Sequence, residues 1–389
     1  MNPFRFARLP LIIFGGGRIS ELAAIVRESG NIMLLVTGAS SFTGSANAGN
    51  IFGQFREKGI NVHHITVTGE PSPEVVDEAV MRFRGKKPDT VVSIGGGSVI
   101  DAGKAISAML KTPGSVKDYL EVVGSRQHPG TKVPFIAVPT TSGTGSEATK
   151  NAVISSVGKG GFKRSLRHDN LVPDIALVDP GLTLNCPPHI TAAAGMDCFT
   201  QLTEAYLSTK ASGYTDALAL EGLKAVRRSL MRSFTHGDDP VARSDMSYAA
   251  LTSGICLANA GLGAVHGLAG TIGSMYKIPH GAVCGTLMAV ANEVTVRELR
   301  KISANHLSLK KYAVLGRLFS EKEGKDDDYY IDSFIGSLHE ITDELDLPRL
   351  AGYGIGVGDL AVISSQSDVK NNPAELSAEG LSEILARRL

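Results

Sequence analysis

The sequence predicts an α/β dinucleotide-binding domain with a parallel sheet, followed by an all-helical domain. Three observations carry that expectation. Short apolar runs alternate with helical patterns through the first half of the chain. Two glycine-rich turns close two of those runs. From Pro187-Pro188 onward the apolar residues recur mostly at helical spacing. At 389 residues the chain is long enough for two domains of roughly 150 residues or more each. The expected boundary lies near 185, which gives an α/β domain over 1–185 and a helical domain over 186–389.

Leu9 to Phe14 reads as a first strand running into Gly15-Gly16-Gly17. Residues 31–37 and 61–67 read as buried strands, with a helix over 73–84 after the second. Residues 89–94 form a third such strand with a helix over 99–110, and 133–138 a fourth. Strands separated by helices imply a parallel sheet with ligands at the strand carboxyl ends. In the second half, helical spacing covers 190–208, 214–236, 241–259, 261–275, 283–299, 330–345 and 377–388. Glu321 to Asp328 is dense in charge and reads as a solvated loop.

Composition narrows the function. Apolar residues make up 43% and charged residues 20%, so a packed core is expected and disorder is not. A formal net charge of zero gives no electrostatic case for nucleic acid or an anionic membrane as partner. No apolar run approaches the roughly 18 residues of a membrane helix, and the N-terminal run is too short for a signal-peptide core. The four cysteines are scattered without a CxxC pair, which fits a reducing cytoplasm better than a disulfide scaffold.

Gly95-Gly96-Gly97-Ser98 ends a strand and opens a helix. Without Cβ atoms the backbone can approach a pyrophosphate, and a helix N-terminus supplies free N–H groups and a favourable dipole. A plain strand–helix turn needs fewer glycines. Thr140-Thr141-Ser142-Gly143-Thr144-Gly145-Ser146 follows the next strand in the same way, with hydroxyls for ribose or phosphate. Gly96, Gly97, Ser98, Thr140, Thr141 and Thr144 are therefore the expected nucleotide clamp. At the end of the early strand, an acidic residue would bind a ribose 2′-OH and repel a 2′-phosphate. Here the chain reads Gly38-Ala39-Ser40-Ser41. Gly38 and Ser40 leave room for that phosphate, so the expectation leans to NADP over NAD.

Asp197, in the helix over 190–208, shares a face with Gln201 four residues on. His266 and His280 stand downstream, and the Ile278-Pro279 step between them supplies the turn that lets His280 fold back. A single histidine in an apolar helix is more often a packed core residue. A carboxylate with two imidazoles is an acceptable shell for Fe²⁺ or Zn²⁺ with positions open for substrate oxygen.

These motifs, taken with Asp101 and Lys104, Glu147, Asp179-Pro180, Gly195-Met196-Asp197, His266-Gly267 and Pro279-His280-Gly281, resemble the iron-containing (group III) alcohol dehydrogenase family over effectively the whole chain. The resemblance implies the dehydroquinate synthase-like architecture, with a metal in the cleft between the two domains. It implies oxidation of alcohols or reduction of aldehydes with NAD or NADP, Asp197, His266 and His280 being catalytic through the metal, and assembly as a homodimer. It also places Asp101 on the nicotinamide side and Asn151 and Lys163 near ribose.

Two departures stand out. Gln201 occupies the slot where the family usually has a histidine ligand, and Gly270 occupies that of a further histidine. The metal is then held with Gln201 in its shell, held by three residues alone, altered in kind, or lost. Two other readings follow: a lyase resembling dehydroquinate synthase, which regenerates its nucleotide, and a nucleotide-binding sensor without metal.

Overall fold

The computed structural model describes residues 3–158, 160–184 and 186–389. The expected boundary at residue 185 and the first two residues of the chain lie outside them. Contacts divide the described residues into two units, one of residues 6–156 and 161–184, the other of 186–389 with 3–5, 157–158 and 160.

The first unit is built on six parallel strands: β1 (Leu11–Phe14), β2 (Ile32–Thr37), β3 (Asn61–Thr66), β4 (Thr90–Gly95), β5 (Phe135–Pro139) and β8 (Ile175–Val178). Its helices are α1 (Leu22–Ser29), α2 (Ala46–Glu57), α3 (Pro73–Phe83) and α4 (Gly97–Met109), and β6 (Asn151–Ser156) with β7 (Phe162–Arg167) forms a separate antiparallel hairpin. The sheet order is β1-β8-β5-β4-β2-β3. The chain leaves β2 towards β3, then returns to the other side of β2 as β4. That reversal makes the carboxyl ends of β2 and β4 a topological switch point, where open α/β sheets bind ligands.

The strands sort their side chains by the two-residue period of a pleat. Leu34, Val36, Val91, Phe135 and Ala137 enter one core with α3 and α4 residues such as Val76 and Ala105. Met33, Leu35, Val92, Ile136 and Val138 enter the opposite core with Ala23, Val26 and Phe55 of α1 and α2. Both faces are covered, so these strands read as unbroken apolar runs.

The second unit contains α5 (Pro188–Leu207), α6 (Gly213–Thr235), α7 (Pro240–Ala260), α8 (Ala264–Met275), α9 (His280–Ile302), α10 (Leu307–Phe319), α11 (Asp327–Glu344), α12 (Leu360–Gln366) and α13 (Ala378–Ala386), with no strand among its described residues. Helix starts follow local chemistry. Ser212 accepts from the Thr215 N–H at the head of α6, and Asp239 from Val241 and Ala242 before α7, which has Pro240 in its first turn. α5 packs against α6, α7 and α9 and is buried along most of its length. No single helix among the described residues is long and apolar enough to cross a membrane.

Several elements differ from expectation. The helix expected from 261 begins at Ala264, because Gly261 caps α7 with φ 70° and breaks the run. α1, α2, α10, α12, the β6–β7 hairpin and β8 were not anticipated. α2 is interrupted by Gly49 and Gly53, and β8 and α12 have four and seven residues, short enough for periodicity to fail.

Candidate functional site

Asp197, Gln201 and Glu204 fall at i, i+4 and i+7 of α5 and so line one face. His266 stands in the first turn of α8, and His280 opens α9 directly after Pro279. Two glycines of α9 bring that helix onto α5. A Cβ on Gly281 would overlap the Ala193 carbonyl oxygen, and one on Gly285 would lie 2.9 Å from Met196 Cβ. Glycine at both positions lets the backbones close and carries His280 to Asp197.

The predicted donors converge. Asp197 Oδ1 lies 3.2 Å from His266 Nε2 and 3.9 Å from His280 Nε2. Cys284, one turn beyond His280, joins them, and the four donor atoms lie within 4.8 Å of one another. The set has one carboxylate, two imidazoles and a thiol, and its first three members have the chemistry and spacing that a divalent cation needs.

The surrounding groups fix these donors. Glu204 Oε2 accepts from His266 Nδ1 at 2.6 Å, while Oε1 accepts the Val265 N–H at 2.7 Å. This carboxylate–histidine pair turns Nε2 towards the donor cluster, as in many metal sites. Gln201 does not point its oxygen at the cluster. Its amide nitrogen donates to Asp197 Oδ1 at 3.2 Å, and its oxygen lies 2.9 Å from Ser253 Oγ, whose one proton also has the Ala250 carbonyl at 2.8 Å. An acceptor-only carboxylate beside it requires the NH₂ to face that way.

Electrostatics reflect the crowding. Burial by itself raises the Asp197 carboxyl, but the hydrogen bond from His266, the two imidazoles and the Gln201 amide outweigh it and lower the pKa. Burial disfavours a charged His266, yet Cys284, Glu204 and Asp197 together raise its pKa well above the ordinary value. Burial pushes the Cys284 thiol up to about 11. A bound divalent cation reverses such preferences by taking the place of the protons.

The nucleotide-type turns form a second constellation in the other unit. Gly95 pairs with Pro139 across β4 and β5, and the Thr140 N–H donates to the Gly95 carbonyl at 2.9 Å. A Cβ on Gly97 would come within 2.6 Å of Thr144 Cγ2, and one on Gly96 within 3.3 Å of Thr141 Oγ1. The two turns therefore pack directly on each other, and Gly97 is required for that contact. Gly96 caps α4 without a side chain, so the N–H groups of Gly97 and Ser98 head the helix with no intrahelical acceptor. Thr140 Oγ1 is buried and has no hydrogen-bond partner among the described residues. Gly38 follows β2 at the same sheet edge, with Ser40 two residues beyond. An edge of free N–H groups and an orphaned hydroxyl at a switch point fits a nucleotide diphosphate.

Lys104, buried in α4, holds the Thr140–Asn151 stretch in place. Its ammonium donates to the carbonyls of Ser146, Thr149 and Asn151 at 2.8, 2.9 and 2.8 Å. Asp101 accepts from Ser146 Oγ and from the Val153 N–H at 3.0 Å, so both its oxygens are engaged within the unit. Lys163 pairs with Glu70, and Asn151 meets Lys104 through its carbonyl. Sequence reasoning missed Glu204, Cys284 and the bracing role of Lys104. Helical spacing from Asp197 and His280 would have found the first two.

The sequence matches a profile of the iron-containing alcohol dehydrogenases over residues 10–180, and one of the C-terminal part of the same family over 191–389. It is 30% identical over 385 residues to alcohol dehydrogenase 4 of Saccharomyces cerevisiae (strain YJM789), covering 97% of this chain and 96% of that protein. It is 32% identical to an NADPH-dependent butanol dehydrogenase of Clostridium saccharobutylicum, covering 88% and 85%. A crystal structure of 1,3-propanediol oxidoreductase superposes with a TM-score of 0.89 at 25% identity, covering 100% of both chains. The chain belongs to the iron-containing alcohol dehydrogenase family. It is an oxidoreductase acting on alcohols, of a family that uses NAD(P) and a divalent metal.

Proposed function

We propose that the chain is a metal-dependent dehydrogenase that interconverts small alcohols and aldehydes, with NADP(H) the favoured nucleotide. The observation behind this reading is the convergence of Asp197 Oδ1, His266 Nε2 and His280 Nε2. When bound, a divalent cation there supplies a Lewis acid for the substrate oxygen and the nicotinamide gives or takes the hydride. Asp197 contributes the single negative charge of that donor trio, and Glu204 and Gln201 hold the donors in register. Asp197 itself is buried, which shields its carboxylate from bulk water. At the other constellation, Gly96, Gly97, Ser98 and Thr140 offer donors to a diphosphate, while Thr141, Thr144 and Lys104 shape the turn. Asp101 anchors the Ser146 end of that turn and reaches the nicotinamide side by family analogy.

The NADP lean rests on Gly38, where a carboxylate would repel a 2′-phosphate. Among the relatives one is named for NADPH and another, a methanol dehydrogenase of Bacillus methanolicus, for NAD, so the lean comes from Gly38 alone. A homodimer in the cytoplasm completes the reading, the first from family resemblance and the second from four free cysteines. The test is reduction of short aldehydes with NADPH by wild type, Asp197→Ala and His266→Ala, alongside elemental analysis of each. Loss of a Lewis acid worth several kcal/mol corresponds to a fall of roughly a thousandfold in kcat/KM, with metal content falling too. Wild-type turnover in both variants would overturn the metal reading.

A further inference from the structure

Gln201 stands where a fourth ligand is expected, yet its amide spans two other groups. The nitrogen donates to Asp197 Oδ1, and the oxygen faces Ser253 Oγ on α7, whose one proton it shares with the Ala250 carbonyl. The cluster nevertheless has a fourth donor, from another helix. Cys284 lies four residues after His280, so the two side chains share one face of α9. Its Sγ is 3.7 Å from His266 Nε2 and 3.7 Å from His280 Nε2. Bonds of about 2.0–2.3 Å to a tetrahedral centre put neighbouring donors about 3.3–3.8 Å apart. The Asp197–His266 separation of 3.2 Å and the Asp197–His280 separation of 3.9 Å fall close to that range, as do both sulfur distances.

We propose that the first shell is Asp197, His266, His280 and Cys284. The fourth ligand has moved from position 201 on α5 to position 284 on α9, and Gln201 has become a positioning residue for Asp197. The proposal rests on the metal-dependent reading above. It has a consequence for the metal. Three nitrogen or oxygen donors with one thiolate form a tetrahedral set suited to Zn²⁺, and sulfur adds a preference that a fourth imidazole would not. Cys284 binds as the thiolate and its proton is released on binding. With four protein donors holding the ion, a substrate oxygen would have to be accepted as a fifth donor, which zinc tolerates.

The test uses metal-free full-length protein reloaded under anaerobic conditions. With Co²⁺ as probe, wild type should bind one ion per chain and show a thiolate-to-cobalt charge-transfer band in the near ultraviolet. With Zn²⁺, X-ray absorption should require one sulfur scatterer at about 2.3 Å. Cys284→Ser should lose both signatures and still take up metal. Its affinity should fall by more than the roughly 10–100-fold that loss of an outer-shell partner costs. Its Zn²⁺-over-Fe²⁺ preference in direct competition should also fall. One bound Co²⁺ with no charge-transfer band in wild type would overturn the ligand assignment and leave the metal-dependent reading standing. Failure of wild type to bind either ion, or binding unchanged in Asp197→Ala, would overturn both. The wild-type absorption measurement needs no variant, so a misfolded Cys284→Ser cannot obscure the answer.

Discussion

His266 Nδ1 donates to Glu204 Oε2 across 2.6 Å, and this one contact decides which nitrogen of the ring faces Asp197. Glu204 also accepts the Val265 N–H, so its carboxylate is fixed by the backbone beside the histidine that it orients. Glu204→Gln keeps the size but offers one acceptor where two are needed. It should lower metal affinity by roughly 10–100-fold while leaving the helical unit folded. Chelator competition measures this, and an unchanged dissociation constant would show that the contact does not orient a ligand.

The approach of α9 to α5 sets the other half of the cluster. A Cβ at Gly281 meets the Ala193 carbonyl oxygen and lies 3.3 Å from Asp197 Cβ. Gly281→Ala should therefore push His280 and Cys284 away from Asp197. Overpacking of this kind costs about 1–3 kcal/mol, so both thermal stability and metal retention should fall. An Ala variant that keeps full metal occupancy at wild-type stability would mean the helices have slack that the structure does not show. By contrast Gly270→Ala, with nothing within 4 Å of its added Cβ, should be nearly silent on both measures.

The fold was legible where side-chain period and burial agreed. β2, β4 and β5 are covered on both faces, so each is an apolar run that any reading finds. The β6–β7 hairpin was not found, since Asn151–Ser156 and Phe162–Arg167 mix polar and apolar residues around a glycine-rich turn. At the site, Asp197, His266 and His280 were readable from residue type and motif. Cys284 and Glu204 were equally accessible to the helical arithmetic that paired Asp197 with Gln201. What no spacing could supply is the Ser253 hydroxyl, which approaches Gln201 from α7, or the three carbonyls around Lys104. Those contacts exist only once distant segments have packed.

The proposed preference for NADP(H) rests on Gly38. An added Cβ there meets Ser41 Oγ at 3.3 Å, a side chain that can rotate aside, so an aspartate is sterically tolerable. Gly38→Asp would set a carboxylate where a 2′-phosphate is expected. Like charges brought together cost several kcal/mol, so kcat/KM for NADPH should fall by roughly 10–100-fold or more, with NADH affected little or improved. Steady-state kinetics with both nucleotides measure the ratio. A parallel loss for NADH and NADPH would indicate damage to the turn and would remove Gly38 as the discriminating position.

Buried charge in the nucleotide-type unit predicts a pH dependence of stability. Burial pushes the Glu147 carboxyl up from 4.5 to about 7 and the Lys104 ammonium down from 10.5 to about 8. Between pH 4.5 and 7 the folded protein keeps a proton on Glu147 that the unfolded chain has lost, so stability falls as pH rises through that window. Between pH 8 and 10.5 the unfolded chain keeps a proton on Lys104 that the folded protein has lost, so stability rises again. Each group contributes a slope of at most about 1.4 kcal/mol per pH unit, leaving a minimum from this pair near pH 7–8. Glu147→Gln cannot ionise and should make the falling limb shallower by the Glu147 share, leaving that of the buried Asp101, whose pKa burial also raises, and keeping the rising limb. Denaturant unfolding of wild type and variant from pH 4.5 to 10 measures the difference between them. If the two curves run parallel below pH 7, Glu147 titrates in the folded protein as it does in the unfolded chain and the burial cost is absent.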